Sequence, residues 1–326
     1  MFSRAEIEDA TRIVARNFAA TPQYCWPLLS QRAGCEVWMK HENHTPTGAF
    51  KARGGLLYVD ELQRASSSRT SPPAGLITAT RGNHGQSIPY AASRYELPVM
   101  VLVPKGNSPE KNGAMQAWGA ELVVYGKDFD EARVEAQARA DQLQLQFVPS
   151  FHPALVRGVA TYALELFTAV SDLKTVYVPI GMGSGISGLI GVRDLLGLTT
   201  EVVGVVSDRA DAVATSFETG NLTETSSANT FADGMACRVP DPEALEIIRR
   251  GAARIVRVSE DEIAAAMRAI YTDTHNVAEG AGAASYAALL QERELQRDQR
   301  IAVILTGGNV DASVFASVLR GETPVP

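Results

Sequence analysis

The chain has 326 residues, a formal net charge of −7 and a pI near 5.4. That length buries a large core, expected over two lobes, and the acidic balance excludes a nucleic-acid or anionic-membrane surface as the main partner. Cys25, Cys35 and Cys237 lack metal-ligand spacing and point to free thiols in a reducing cytoplasm, and no run reaches the roughly 18 apolar residues of a membrane span.

From Met1 to Ala20, Glu6, Glu8 and Asp9 stand among apolar residues at helical spacing, which predicts an amphipathic surface helix and no targeting segment. His41 and His44 lie close together, but two imidazoles without a further ligand read as polar loop residues. The segment Thr45-Pro46-Thr47-Gly48-Ala49-Phe50-Lys51-Ala52-Arg53-Gly54-Gly55 then sets Lys51 behind an aromatic and between residues that turn tightly. A lysine at its ordinary pKa of about 10.4 is protonated at neutral pH, so covalent work needs desolvation or a Schiff base. Taken alone, the segment is more often an ordinary helix start with a surface lysine.

The Ser/Pro-rich piece Ala65 to Ala74 predicts a connection into a smaller lobe that ends near Ser150. Within it, Gly75-Leu76-Ile77 reads as a short strand, Thr78-Ala79-Thr80-Arg81-Gly82-Asn83-His84-Gly85-Gln86-Ser87 as a glycine-punctuated polar turn, and Ile88 to Tyr95 as a helix. A strand, turn and helix in that order present backbone N–H groups where anions bind. Asn83 adds an amide that donates to a phenolate or accepts from a hydroxyl. Strand-like runs follow at Val99–Val103, Glu121–Tyr125, Thr175–Ile180, Glu201–Val206 and Ile301–Leu305. They alternate with helical stretches at Phe129–Gln144, Val156–Ser171 and Glu260–Asp273, a rhythm that implies an α/β protein with largely parallel sheets. The polar stretch Thr215 to Thr230 is expected to be a surface loop.

After the strand ending at Ile180 comes Gly181-Met182-Gly183-Ser184-Gly185-Ile186-Ser187-Gly188, whose glycines let amides approach a phosphate while Ser184 offers a hydroxyl. Gly183, Gly185 and Gly188 also spell G-x-G-x-x-G, with Asp208 beyond the next strand where a ribose-binding acid is expected, so a nicotinamide oxidoreductase stays open on this motif. The last strand ends in Thr306-Gly307-Gly308-Asn309. Strand ends of a parallel sheet converge on one crevice, so Thr306 is expected beside the loop after Ile180.

In this order the pieces resemble the fold-type II enzymes that use pyridoxal 5′-phosphate (PLP), in the serine/threonine dehydratase and serine racemase branch. The likeness runs from Thr21-Pro22 through Lys40-His41-Glu42 and the Lys51 segment to Thr306-Gly307-Gly308-Asn309. It implies a two-lobed, tryptophan synthase β-like α/β fold with largely parallel sheets flanked by helices. Residues 1–72 and 151–326 would form a large PLP-binding domain and 73–150 a small one. It further implies that Lys51 carries the cofactor as a Schiff base and later removes the α-proton, that Phe50 packs against the ring, and that Asn83 bonds the ring hydroxyl. Gly181, Met182, Gly183, Ser184 and Gly185 would cradle the phosphate, Thr306 would face the pyridine nitrogen, and Glu279 would stand at the cofactor wall. Thr80, Arg81, Gly82 and His84 would meet the substrate.

The implied activity is a PLP-dependent ammonia-lyase that dehydrates a β-hydroxy-α-amino acid to a 2-oxo acid and ammonia. Serine and threonine are the default substrates; larger hydroxyamino acids, such as phenylserine or hydroxyectoine breakdown products, are the others. Where racemases of the family carry a far-face serine, this chain has Arg81, which cannot deprotonate at neutral pH, so racemisation is not expected. Arg81 instead suits a carboxylate, either the substrate's α-carboxylate or a second acid on its side chain, with an outward-pointing surface arginine as the equal alternative. Val206 and Ala212 stand where relatives ligate a divalent cation, so no metal is expected there despite Asp208 and Asp211 nearby. Met182 and Ser184 lean toward β-replacement of the cysteine synthase type, the alternative within PLP chemistry, while Gly48-Ala49-Phe50-Lys51-Ala52-Arg53-Gly54 leans toward dehydration. No regulatory domain is expected after Asn309, and a cytoplasmic homodimer is expected.

Overall fold

The structure is a computed structural model and describes residues 1–66 and 73–325. Among the described residues ten strands follow in chain order: β1 Gln23–Cys25, β2 Glu36–His41, β3 Leu76–Ala79, β4 Val99–Val103, β5 Ala120–Val124, β6 Gln146–Phe147, β7 Thr175–Pro179, β8 Glu201–Ser207, β9 Arg254–Val258 and β10 Arg300–Leu305. They form a six-stranded sheet in the order β1-β2-β10-β7-β8-β9 and a four-stranded sheet in the order β5-β4-β3-β6. Every pairing is parallel except the one between β1 and β2.

Alternation along the strands explains the layers. Side chains of successive strand residues point to opposite faces. On β8, Val203 and Val205 join Tyr177 and Val303 in a core under the helices Glu260–Thr274 and Gly280–Gln291. Val202 and Val206 join Val176, Val178 and Ile304 in a second core under the helices Pro153–Ala169 and Ser184–Leu195. Both faces of the sheet are covered, which is why every residue of β7 is buried and the strand after Thr175 does not alternate between apolar and polar residues.

One buried polar network fixes the start of the helix Lys51–Ser66. Arg53, Glu42 and Lys40 are fully buried. The Arg53 guanidinium donates to Glu42 at 2.7 and 3.0 Å, to Glu165 at 2.7 and 2.8 Å and to Thr161 at 2.9 Å. Lys40 Nζ donates to Glu165 and to the Thr21 carbonyl, each at 2.6 Å. Two cations and two carboxylates thus neutralise one another out of water, as buried charges must. Burial alone would lower the Arg53 pKa, but Glu42 and Glu165 hold it above the usual arginine range.

Several expectations from the sequence need correction. The helix expected from Ile88 begins at Asn83 and runs to Ala92, so Asn83 and His84 lie in its first turn. Thr215 to Thr219 belong to the helix Ala212–Thr219, and the Thr230 hydroxyl is buried against Glu260 at 2.7 Å. Strands β1, β2, β6 and β9 were not anticipated. Of the expected connection Ala65 to Ala74, residues 67–72 lie outside the described residues.

Candidate active site

The ends of β3, β7 and β10 and the start of the helix Lys51–Ser66 meet in one cleft, lined among others by Phe50, Lys51, Thr80, Arg81, Asn83, His84, Ser184, Glu279 and Thr306. Lys51 is delivered there by backbone contacts to the end of β10. Ala49 bridges to Gly307, and the Phe50 N–H donates to the Thr306 carbonyl at 2.9 Å. Gly48 makes the turn at φ +68°, where a Cβ would stand 2.5 Å from Asn309 Oδ1, so the turn requires glycine.

Lys51 Nζ donates to Ser184 Oγ at 2.9 Å and stands 4.9 Å from the centre of the Phe50 ring. Burial pushes its amine down to about 8. Ser184 opens a helix whose preceding residue, Gly183, takes φ +94°. The first amides of that helix have no intrahelical acceptors and point past its end, the arrangement that receives a phosphate. Gly181 allows the neighbouring loop to close on it, since a Cβ there would lie 2.3 Å from the Gly234 carbonyl oxygen. Gly188, third glycine of the G-x-G-x-x-G pattern, is explained by packing: a Cβ would meet the Ala160 backbone at 3.1 Å.

On the opposite wall, Asn83 is oriented from both ends. Its Nδ2 donates to Glu279 Oε1 at 2.6 Å, and its Oδ1 accepts from Asn309 Nδ2 at 2.8 Å. The Thr80 hydroxyl accepts the amides of Gly82 at 2.9 Å and Gly85 at 3.3 Å, which folds the turn before the helix. His84 is buried, and burial together with the Lys51 charge holds its imidazole down to about 3, so it is neutral at physiological pH.

Two charged residues here were not foreseen. Lys111, from the helix Pro109–Ala117, donates to Asp233 at 2.5 and 2.7 Å and lies 3.5 Å from Glu279 Oε2. Burial and Asp233 raise the Glu279 pKa, against the lowering influence of Lys111 and Asn83. No local pattern marks this pairing, because Lys111 and Asp233 are far apart in the chain. Phe129 and Cys237 also line the cleft, with Cys237 Sγ 3.7 Å from Met182 Sδ. The Thr306 hydroxyl makes no hydrogen bond among the described residues, although the residue is buried. The residues expected around pyridoxal phosphate and its substrate all line this cleft, whereas Gly188 and Asp208 of the dinucleotide pattern do not.

The model of the family described as pyridoxal-phosphate dependent enzyme matches residues 14–307. An L-threonine ammonia-lyase from Geobacter sulfurreducens is 33% identical over 293 residues, covering 90% of this chain and 72% of its own. The catabolic L-threonine dehydratase TdcB of Escherichia coli K12 is 32% identical, covering 89% of this chain and 88% of its own. Among solved structures, the processed form of threonine deaminase isoform 2 from Solanum lycopersicum superposes with a TM-score of 0.87 at 26% identity, covering 98% of this chain and 94% of its own.

Proposed function

The chain belongs to the pyridoxal-phosphate dependent enzyme family, and on that premise we propose that it works as an ammonia-lyase, taking a β-hydroxy-α-amino acid of the serine or threonine kind to a 2-oxo acid and ammonia. The residues of the cleft fit the cofactor by their chemistry. Lys51 offers a desolvated amine to a carbonyl, the helix start at Ser184 offers amides and a hydroxyl to a phosphate, Asn83 offers an amide to the ring hydroxyl, and Thr306 has an unengaged hydroxyl for the ring nitrogen. When bound, pyridoxal phosphate supplies an electron-withdrawing ring that acidifies the substrate α-carbon.

The protein's own work is then positional and acid–base. Lys51 holds the cofactor, and once its amine is free it accepts the proton from Cα; an amine with a pKa near 8 is partly unprotonated at neutral pH and suited to this. The first-turn amides of Asn83 and His84 receive the α-carboxylate. Glu279 and Asn309 keep the Asn83 amide from rotating, and Lys111 keeps the Glu279 carboxylate company out of water. Loss of the α-proton and the β-hydroxyl together removes one water; the released enamine becomes an imine, and its hydrolysis returns that water and frees ammonia. Thr306 presents a hydroxyl rather than a carboxylate, which leaves the ring a weaker electron sink and favours elimination over reactions through a long-lived carbanion.

The division into 1–72 plus 151–326 and 73–150 belongs to the same reading, with the four-stranded sheet closing over the substrate to exclude water. So does a cytoplasmic homodimer, which the three free thiols suit; light scattering on the purified protein tests the stoichiometry.

The carrying observation is the half-buried Lys51, its amine 2.9 Å from a hydroxyl on a helix N-terminus. The test is the visible spectrum of wild type and Lys51→Ala with pyridoxal phosphate, coupled to detection of 2-oxo acid and ammonia. The bound-cofactor band and the products are expected in wild type only. A wild type with no band after incubation with cofactor refutes the assignment, and conversion of an added thiol into a new amino acid in place of ammonia release would make the enzyme a β-replacement catalyst.

A further inference from the structure

Among the described residues three cations line the cleft: Lys111 has carboxylate partners, Lys51 has a hydroxyl and is the amine reserved for the cofactor, and Arg81 has neither. Lys51 rests on Ser184, and Lys111 lies between Asp233 and Glu279. Arg81 has neither a carboxylate nor a hydrogen bond among the described residues, and its Nε is buried without an acceptor. A guanidinium partly withdrawn from water with no counter-charge is costly, so the compensating anion belongs to a ligand.

The reaction on a serine- or threonine-type substrate brings two anions to the cleft, and a substrate with an acidic side chain brings a third. The cofactor phosphate has its receptor at the helix start after Gly183, on the six-stranded sheet. The α-carboxylate has its receptor in the amides of Asn83 and His84, which make no backbone hydrogen bond among the described residues, whereas the Thr80 hydroxyl accepts from those of Gly82 and Gly85. Neither receptor uses the Arg81 side chain. What is left is an acid on the substrate's own side chain, and the planar fork of a guanidinium is suited to a carboxylate held by two parallel hydrogen bonds.

Resting on the ammonia-lyase reading, we propose that Arg81 is a specificity determinant that pairs with a second carboxylate, so that the preferred substrates are β-hydroxy amino acids with an acidic side chain, of the 3-hydroxyaspartate class. A substrate with a methyl in that place leaves the guanidinium unpaired, and the site discriminates against it for the same reason any site rejects a ligand that strands its polar groups.

The experiment compares the holoenzyme with Arg81→Gln and Arg81→Lys on L-threonine and on the isomers of 3-hydroxyaspartate. Wild-type kcat/KM is expected to favour one diacid isomer by at least about tenfold over threonine. Arg81→Gln is expected to lower the diacid value by roughly 100-fold, mostly through KM, and by at least about 30-fold more than the threonine value, with part of the loss recovered in Arg81→Lys. Inhibition by the unreactive acids succinate and butyrate gives an independent readout: only succinate should weaken strongly in Arg81→Gln. Equal losses on both substrates, or a wild type with no preference for a diacid, overturn the proposal. If wild type turns over none of these compounds, the lyase reading fails instead, and binding of succinate against butyrate still decides the role of Arg81.

Discussion

Replacing Arg53 with methionine removes the central cation of the buried network behind Lys51. Glu42 is fully buried and loses its ion pair, while Glu165 keeps only Lys40, at 2.6 Å. Stripping one partner from a buried pair costs about 3–5 kcal/mol, because the remaining charge is left unpaired out of water. Unfolding entropy of about 2.1 cal/mol/K per residue gives a chain of this length about 0.7 kcal/mol/K, so the melting temperature should fall by about 4–7 °C. Calorimetry on cofactor-free protein reads this without the stabilisation that bound ligand adds. The double variant Arg53→Met with Glu42→Gln removes the stranded charge as well, and should lose at least about 1 kcal/mol less than the two single losses added together. A shift under about 1.5 °C for Arg53→Met, or strict additivity in the double variant, would refute the idea that these charges are mutually dependent.

Other consequences are as direct. Because only unprotonated Lys51 attacks a carbonyl and burial sets its pKa near 8, capture of pyridoxal phosphate by cofactor-free protein should accelerate from pH 7 to 9 and level off; a midpoint above about 9.5 would contradict that burial. Gly181→Ala drives a Cβ to 2.3 Å from the Gly234 carbonyl oxygen, so cofactor titrations should show at least about tenfold weaker binding, and unchanged affinity would mean the two loops are not in contact. His84 has a pKa near 3 in the folded chain and about 6.5 unfolded. Its contribution is therefore complete above pH 6.5 and lost as pH falls toward 3, and His84→Gln should flatten that acid limb of the melting curve relative to wild type. Lys111→Met leaves Asp233 and Glu279 facing each other across a buried gap, and should weaken cofactor binding while Lys111→Arg restores part of it.

How far the sequence foretold this depends on the range of the interactions involved. Lys51, the glycine loop around Ser184 and the turn around Asn83 were legible because each is a local event: a glycine-bearing turn into a helix start for Lys51, and a strand end running into a glycine-bearing turn for the other two. The start of the helix at Asn83 was hidden. Asn, His and Gly are poor helix formers, and this turn is set by its surroundings, with Gly85 pressed against Thr80 and Met115. Strand β9, Arg-Ile-Val-Arg-Val, was hidden by its charges. Arg254 pairs with Glu201 and Glu292, and Arg257 with Asp211 and Glu218, so these arginines serve the sheet edge rather than arguing against a strand. Lys111 with Asp233, like Arg53 with Glu165, joins positions more than 100 residues apart, and no window on the sequence contains both.

The tie between the Phe50 N–H and the Thr306 carbonyl also bears on when the protein becomes competent during synthesis. The strand leading to Lys51, β2, has β10 as its parallel neighbour, residue 37 opposite residue 301. A ribosome adding about 5–20 residues per second emits β2 roughly 13–53 s before β10 follows it. Through that interval the lysine segment is without the strand that seats it, and the six-stranded sheet has a gap between β2 and β7 that only the last strand fills. Seating of the Lys51 segment accordingly waits for β10, and a ribosome stalled short of β10 yields a product in which that segment lacks the strand it rests on.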